Sequence, residues 1–255
     1  MATTNRQEIH EAVRKAYGEV ARTRNLGGEE TAEACCRTDG PSSDYTPAEL
    51  AAVPAGAYLG EGSGAPVRHA ALASGETVVD LGSGAGMDSF LAVAAVGPTG
   101  RVHGFDLTRD MLERARGLAA SAGHANVSFE AADIEHLPLP SGSADAAISN
   151  CVINLSPDKR AVYREIFRVL RPGGRLSIAD IVLRGESAAL HALRDGADAA
   201  SWCACLSGAL PEDDYLQAIR SAGFEQVRIV AERPAQTQPE NGVRAVAVTV
   251  TARKP

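Results

Sequence analysis

The feature that most constrains this chain is a glycine-rich turn directly after a short apolar run. Residues 78–86 read Val-Val-Asp-Leu-Gly-Ser-Gly-Ala-Gly, which places Asp80 at the head of a D-x-G-x-G-x-G pattern. Residues 87–96 are helix-forming, so the segment predicts a strand, a tight turn and a helix. We expect such a turn to direct backbone N–H groups beyond the carboxyl end of the strand. Glycine at alternate positions would let a bulky ligand approach the main chain.

Asp80, at the head of the pattern, indicates which ligand the turn favours. A G-x-G-x-x-G turn binds a pyrophosphate, whereas the carboxylate of Asp80 would repel phosphates and attract a cation. S-adenosylmethionine has a sulfonium and an ammonium group, so it fits this turn better than NAD or ATP. The turn therefore predicts a site for that cofactor at Asp80, Gly82, Ser83 and Gly84; the alternative is a glycine-rich turn without a ligand.

The next predicted strand also ends in a carboxylate. Residues 101–105 form an apolar run that is followed by Asp106. An acidic residue about 20 positions after the glycine turn, at the tip of the second strand, is typical of a ribose site. Asp106 could equally cap the helix that starts near Arg109, and both roles are compatible.

A third strand, predicted at residues 127–131, leads to Asp133 and Ile134. A carboxylate and an apolar residue suit the amino group and the ring face of adenine; the alternative for Asp133 is a loop carboxylate in solvent. Met111 could pack against adenosine or against the sheet. The remaining residues predicted to bind the cofactor are Leu107 and Asn150.

Strands and helices alternate along the rest of the chain, which predicts an α/β fold with a doubly wound sheet. We expect a mostly parallel, seven-stranded, Rossmann-like sheet with helices added before it and a substrate-binding insertion before the last helix. The last two strands lack an intervening helix, so they should pair antiparallel at one edge. The predicted parts are residues 1–66 (helices and a cap loop), 67–183 (cofactor-binding core) and 184–255 (insertion, last helix and final strands). The predicted strands are 145–150, 175–182, 225–232 and 243–251; the predicted helices are 8–17, 47–53, 110–122, 159–170, 187–199 and 211–222; and the predicted cap loop is 58–66.

Composition limits the class of function. The chain has 255 residues, 45% of them hydrophobic, which is sufficient for a large core. A net charge of −7 and only 4% aromatic residues provide neither a basic stripe nor stacking platforms, so a nucleic-acid partner is not expected. No apolar run approaches the length of a membrane span, and the first 25 residues are charged and amphipathic. We therefore expect a cytoplasmic protein that acts on a small molecule without contact with a membrane.

The cysteines indicate the substrate class. There are five of them, with no C-x-x-C pair and no histidine at ligand spacing, which argues against a structural zinc site. Cys151 follows the fourth predicted strand, at the end of the sheet where ligands bind. Cys203 and Cys205 lie in the predicted insertion. Each cysteine could instead be a small buried apolar residue. The six histidines lie on different elements, which favours surface or core positions over metal binding.

Over nearly its whole length the chain resembles the arsenite S-adenosylmethionine methyltransferase family. The resemblance implies the Rossmann-like fold, methylation of trivalent arsenicals such as arsenite or methylarsenite, and a role in arsenic detoxification. It also implies that Cys151 and Cys205 bind arsenic, and that a thiol reductant, glutathione or thioredoxin, takes part. Four segments support the resemblance: residues 45–66, 76–114, 149–174 and 202–223.

Thiols suit this chemistry on general grounds. Trivalent arsenic is soft, so it prefers soft thiolate ligands, and it is pyramidal with an exposed lone pair. Binding by sulfur would leave the lone pair free for in-line displacement at a methyl group, a reaction that needs positioning more than proton transfer. Two alternative functions are open: methylation of another small molecule, and binding of a metalloid without turnover.

The chain departs from the family at one position. Ser63 stands where the family usually has a third cysteine, and a hydroxyl cannot replace a thiolate as an arsenic ligand. Cys35 or Cys36 could complete the coordination, as could an external thiol. Alternatively, the substrate already has a carbon substituent and needs only two sulfur ligands.

Overall fold

A single sheet organises the computed structural model, which describes residues 6–24, 45–186, 208–235, 239 and 242–255. The strand order is β3-β2-β1-β4-β5-β8-β7, and a two-residue strand, β6, pairs with β5 off this path. The strands are β1 (Thr77–Leu81), β2 (Arg101–Asp106), β3 (Val127–Ala131), β4 (Ala144–Asn150), β5 (Leu170–Arg184), β6 (Leu210–Pro211), β7 (Glu225–Pro234) and β8 (Arg244–Arg253).

The pairing is parallel from β3 through β5 and antiparallel at the far edge, where β8 lies between β5 and β7. The predicted sheet of seven strands, mostly parallel with an antiparallel finish, is therefore confirmed. Strand β6 is an eighth, short strand that the sequence did not predict. Strand β5 is also longer than predicted at both ends: Leu170 pairs with Ala144 of β4, and residues 175–184 pair with β8.

Helices cover both faces of the sheet. Successive residues of β1 point to opposite faces. Val78 packs in the cluster that contains Ala92 of the helix Met87–Val96, and Val79 packs in the cluster that contains Ile166 of the helix Lys159–Val169 and Ile219 of the helix Glu212–Ser221. This explains why the central strands are apolar throughout. The helices are α1 (Arg6–Thr23), α2 (Pro47–Ala51), α3 (Pro66–His69), α4 (Met87–Val96), α5 (Arg109–Ala122), α6 (Lys159–Val169) and α7 (Glu212–Ser221), with a 3₁₀ turn at Ile153–Leu155.

The predicted and observed helix bounds differ mainly at α1, which extends beyond both ends of the predicted range 8–17. Arg6 contacts Glu135 and Arg22 contacts Asp110, so ion pairs to the core hold both ends of this helix. The predicted helix 187–199 lies outside the described residues. No helix of the described segments is long and apolar enough to cross a lipid bilayer.

Candidate active site

The strand order brings the predicted site residues into one row. Asp133, Asp106, Asp80 and Cys151 lie at or just after the carboxyl ends of β3, β2, β1 and β4, which are consecutive in the sheet. Three strand spacings amount to roughly 14 Å. One cavity of about 1090 Å³, including its open mouth, runs along this row. Its lining includes every residue that we predicted to bind the cofactor: Asp80, Gly82, Ser83, Gly84, Asp106, Leu107, Met111, Asp133, Ile134 and Asn150.

The glycine turn has a different hydrogen-bonding role from the one predicted. The N–H groups of Gly82 and Ser83 donate to the carbonyl of Phe105 at 2.7 and 2.9 Å, and that of Gly84 donates to Asp106 Oδ2 at 2.9 Å. The expectation that these groups point at a ligand is therefore wrong. They tie β1 to β2 and orient Asp106, which is compatible with a ligand that brings no phosphate.

Two of the glycines are required by backbone conformation and space. Gly82 has φ +72°, and a Cβ there would lie 2.2 Å from the Val152 side chain, so the segment after Cys151 packs directly on the turn. Gly84 has φ +52°, and a Cβ there would meet nothing within 4 Å. The cavity is thus open beside Gly84, as an approach of a bulky ligand to the main chain requires.

Asp106 is held from two sides. Its Oδ1 accepts from the Thr108 N–H at 2.8 Å, and its Oδ2 from Gly84 as above. Thr108, not Asp106, is the N-cap residue of α5, so the capping role is not seen. Burial raises the pKa of Asp106, while the hydrogen bonds from Thr108 and Gly84 oppose that shift. The carboxyl group is positioned at the cavity wall, where a diol could bind it.

The predicted adenine residues also lie at the cavity rather than in a solvent loop. Asp133 Oδ1 accepts from the N–H of Glu135 at 2.9 Å, and the Asp133 side chain is 26% exposed. Ile134 is buried. Met111 packs against Val20 of α1, not against the sheet, and lines the cavity from that side.

An acidic network occupies the centre of the site. Asp80 accepts from the Ser89 hydroxyl at 2.6 Å, and burial together with the charge of Asp88 raises the pKa of Asp80 to about 8. Asp88 Oδ2 accepts from the Tyr45 hydroxyl at 2.7 Å and from Asn150 Nδ2 at 3.0 Å. Burial, and then the charge of Asp88, raises the pKa of Tyr45 well above its ordinary value. Sequence reasoning missed Asp88 and Tyr45; an acidic residue in the first turn of α4 was the available signal for Asp88.

Asn150 links this network to the cap loop. Its Oδ1 accepts from the Ser63 N–H at 2.8 Å, and its Nδ2 donates to the Gly64 carbonyl at 2.8 Å and to the Tyr45 hydroxyl at 2.9 Å. Ser63 is 4% exposed, and its hydroxyl oxygen has no hydrogen-bond partner among the described residues. The loop is therefore fixed against the end of β4, immediately before Cys151.

Cys151 has a backbone conformation that is rare for a residue with a side chain. Its φ is +59°, and its N–H donates to the carbonyl of Ala179 at 2.8 Å. It is buried, lines the cavity and packs in an apolar cluster with Ile9 and Val13 of α1. Such backbone strain is typical of residues whose position matters for function.

Helix α1, predicted as a helix added before the core, covers the cavity. His10, Val13 and Tyr17 of this helix line the cavity. Glu135 anchors the helix: it contacts Arg6, and its other oxygen accepts from the Ser156 hydroxyl at 2.7 Å.

His10, Asp133 and Glu135 form the one group of three potential metal ligands in the described part of the chain. The guanidinium of Arg6 is 3.9 Å from Asp133 and contacts Glu135, so a cationic side chain already lies among these groups. The arrangement is accounted for as an anchor of α1.

The other four cysteines, Cys35, Cys36, Cys203 and Cys205, lie outside the described residues.

The residues present fit S-adenosylmethionine. The cavity is open at Gly84, contains carboxyl groups at Asp80 and Asp106, and is also lined by Cys151. Burial and then the charge of Asp88 raise the pKa of Asp80, and a ligand with two positive charges would stabilise its ionised form. Fold and site together define the class: the protein is an S-adenosylmethionine-dependent methyltransferase.

Comparisons with known proteins specify this class further. A family model described as a methyltransferase domain matches residues 72–225. An arsenite methyltransferase of Halobacterium salinarum is 37% identical over 100% of this chain and 69% of its own, and one of Mus musculus is 33% identical over 90% of this chain and 61% of its own. The crystal structure of an arsenic(III) S-adenosylmethionine methyltransferase from Chlamydomonas reinhardtii matches with a TM-score of 0.61 and 27% identity, over 94% of this chain and 72% of that one. The chain belongs to the arsenite methyltransferase family. It spans about two thirds of the length of the curated relatives that it matches.

Proposed function

We propose that this protein methylates trivalent arsenicals that are bound by Cys151 and Cys205, as a step in arsenic detoxification. The observation that supports this most directly is the position of Cys151, a buried thiol in the wall of the cavity that contains Asp80 and Gly84. In the same proposal Asp80 binds the cationic part of the cofactor, Asp106 its ribose and Asp133 its adenine.

The residues of this chain would act by positioning the arsenical against the cofactor. S-adenosylmethionine supplies an electrophilic methyl group on a sulfonium. Thiolates at Cys151 and Cys205 would hold arsenic with its lone pair directed at that group, and the apolar packing around Cys151 would exclude water. With the cofactor bound, the lone pair would displace the methyl group from the sulfonium, and the electrons of the broken carbon–sulfur bond would remain on sulfur. Arsenic thereby rises from the trivalent to the pentavalent state, so a thiol reductant must return two electrons and is itself oxidised to a disulfide. We assign the reaction to the cytoplasm, because the thiolates need a reducing compartment.

We further propose that methylarsenite is the better substrate. Ser63 is held beside the end of β4 by the hydrogen bond from its N–H to Asn150, but its hydroxyl cannot serve as a third thiolate. A substrate that already has one methyl group needs two sulfur ligands only.

The test is product speciation with purified protein, S-adenosylmethionine, a thiol reductant and either arsenite or methylarsenite. We expect faster turnover of methylarsenite. Cys151→Ser should abolish methylation of both substrates and leave the Kd for S-adenosylhomocysteine within about twofold, because serine preserves the shape of the site. If the serine variant keeps its activity, or if neither arsenical is methylated while the cofactor binds, the substrate is a different small molecule.

The role of residue 63 has its own test with a matched control. Ser63→Cys should raise the rate with arsenite relative to the rate with methylarsenite, because it adds a third thiol. Ser63→Ala removes the hydroxyl without adding a ligand and should leave this ratio unchanged. An unchanged ratio in the cysteine variant would contradict the proposed preference.

A further inference from the structure

The acidic centre of the cavity contains one carboxyl group more than the role given to Asp80 explains. Asp80 is the penultimate residue of β1 and Asp88 is the second residue of α4, and the two are 2% and 6% exposed. Both line the cavity, and each is close enough for the charge of Asp88 to raise the pKa of Asp80. None of the ion pairs found among the described residues includes Asp80. Two adjacent buried carboxyl groups are costly unless a cation joins them.

Asp88 is held in one orientation. The Tyr45 hydroxyl and Asn150 Nδ2 both donate to its Oδ2, and Asn150 also donates to the Tyr45 hydroxyl. An acidic residue in the first turn of a helix is favoured by the helix dipole alone, but that effect does not require a buried tyrosine and asparagine to fix the carboxylate. Supporting hydrogen bonds of this kind are typical of residues that contact a ligand.

The row of strand ends indicates which part of the cofactor lies here. Asp133 and Asp106, on β3 and β2, are at the proposed adenosine end of the row, and Asp80 on β1 comes next. The amino-acid part of the cofactor must therefore lie beyond the ribose, towards β1 and β4. Its one cationic group besides the sulfonium is the α-ammonium.

We propose that Asp88 binds the α-ammonium group of the cofactor together with Asp80, and that Tyr45 and Asn150 position Asp88 for this contact. The inference rests on the cofactor-binding part of the proposed function and is independent of the arsenical.

The test compares two ligands by calorimetry, with no arsenical present. S-adenosylhomocysteine has the ammonium group, whereas 5′-methylthioadenosine has the same adenosine and thioether but no amino acid. Asp88→Asn keeps the shape of the side chain and removes its charge. We expect the Kd for S-adenosylhomocysteine to rise about tenfold or more and that for 5′-methylthioadenosine to stay within about twofold. Asp213→Asn, at an exposed position on α7, is the matched control and should change neither Kd.

The positioning role of Tyr45 is tested by a double-mutant cycle. Tyr45→Phe should weaken binding of S-adenosylhomocysteine several-fold in the native protein and should have no further effect in the Asp88→Asn variant. Tyr163→Phe removes the hydroxyl of another buried tyrosine, one that does not line the cavity, and should have no effect in either background.

Two results would overturn the inference. Equal weakening of both ligands by Asp88→Asn would mean that Asp88 maintains the shape of the cavity, and unchanged binding of both would mean that it does not contact the ligand. If Asp88→Asn does not fold, Tyr45→Phe with the same pair of ligands decides between the outcomes. Failure to methylate arsenicals would affect neither measurement.

Discussion

At the scale of single residues, Asp80 makes the stability of the ligand-free protein depend on pH. Its pKa is about 8 in the folded chain, against an ordinary value of 3.8, because it is buried beside Asp88. Between about pH 4 and pH 8 the folded state therefore retains a proton that the unfolded state has released. The free energy of unfolding must fall as the pH rises through this window, by on the order of 1 kcal/mol per pH unit from this group.

Asp80→Asn should remove most of this dependence. We expect urea denaturation between pH 5 and pH 8 to show a flatter profile for the variant, and a higher free energy of unfolding than the native protein at pH 8 without cofactor. Saturating S-adenosylmethionine should stabilise the variant less than the native protein, because asparagine has no charge to offer the cation. Asp213→Asn is the control for the loss of one negative charge. A native profile in Asp80→Asn would show that other groups cause the dependence.

At the scale of elements, Glu135 joins three parts of the site. One of its oxygens contacts Arg6 of α1, and the other accepts from the Ser156 hydroxyl at 2.7 Å and from the Asp158 N–H at 3.2 Å. Ser156 lies in the segment between Cys151 and α6, and it lines the cavity. The buried carboxylate thus holds the start of α1 against the loop that follows Cys151.

Glu135→Gln should loosen this end of α1, because a neutral amide pairs weakly with the guanidinium and places a donor where an acceptor is needed. We expect a loss of about 1–3 kcal/mol in the free energy of unfolding and faster hydrogen exchange at the start of α1. Cofactor dissociation should accelerate as well, since α1 covers the cavity.

The matched variant Arg6→Gln removes the other partner at a half-exposed position. A cycle with both substitutions should give a smaller total effect than the sum of the single ones. Strict additivity would mean that the two residues stabilise the protein independently and that the ion pair does not anchor the helix.

At the scale of the whole molecule, contacts near in sequence were predictable and distant ones were not. Apolar runs and the glycine turn predicted β1 to β4 and the row of site residues, because parallel strands end at one edge of a sheet. By contrast, Tyr45 is 43 residues and Asn150 62 residues from Asp88, and no local pattern links them. The prediction for the glycine N–H groups was wrong for the same reason: their acceptors, Phe105 and Asp106, lie on the neighbouring strand.

The main core cluster includes residues that do not line the cavity, so global stability and cofactor binding should change independently. Ile219 of α7 is completely buried in the main core cluster and does not line the cavity, so Ile219→Ala should lower the free energy of unfolding by about 2–5 kcal/mol. Val230 on the edge strand β7 is 42% exposed, and Val230→Ala should cost less than about 0.5 kcal/mol.

Stabilisation by a ligand depends only on its concentration and Kd, so saturating S-adenosylhomocysteine should add the same increment to the native protein and to both variants. Urea denaturation with and without the ligand measures this increment. A smaller increment in Ile219→Ala would mean that packing under α7 reaches the cavity through β5, the strand that contacts α7 and pairs with β4.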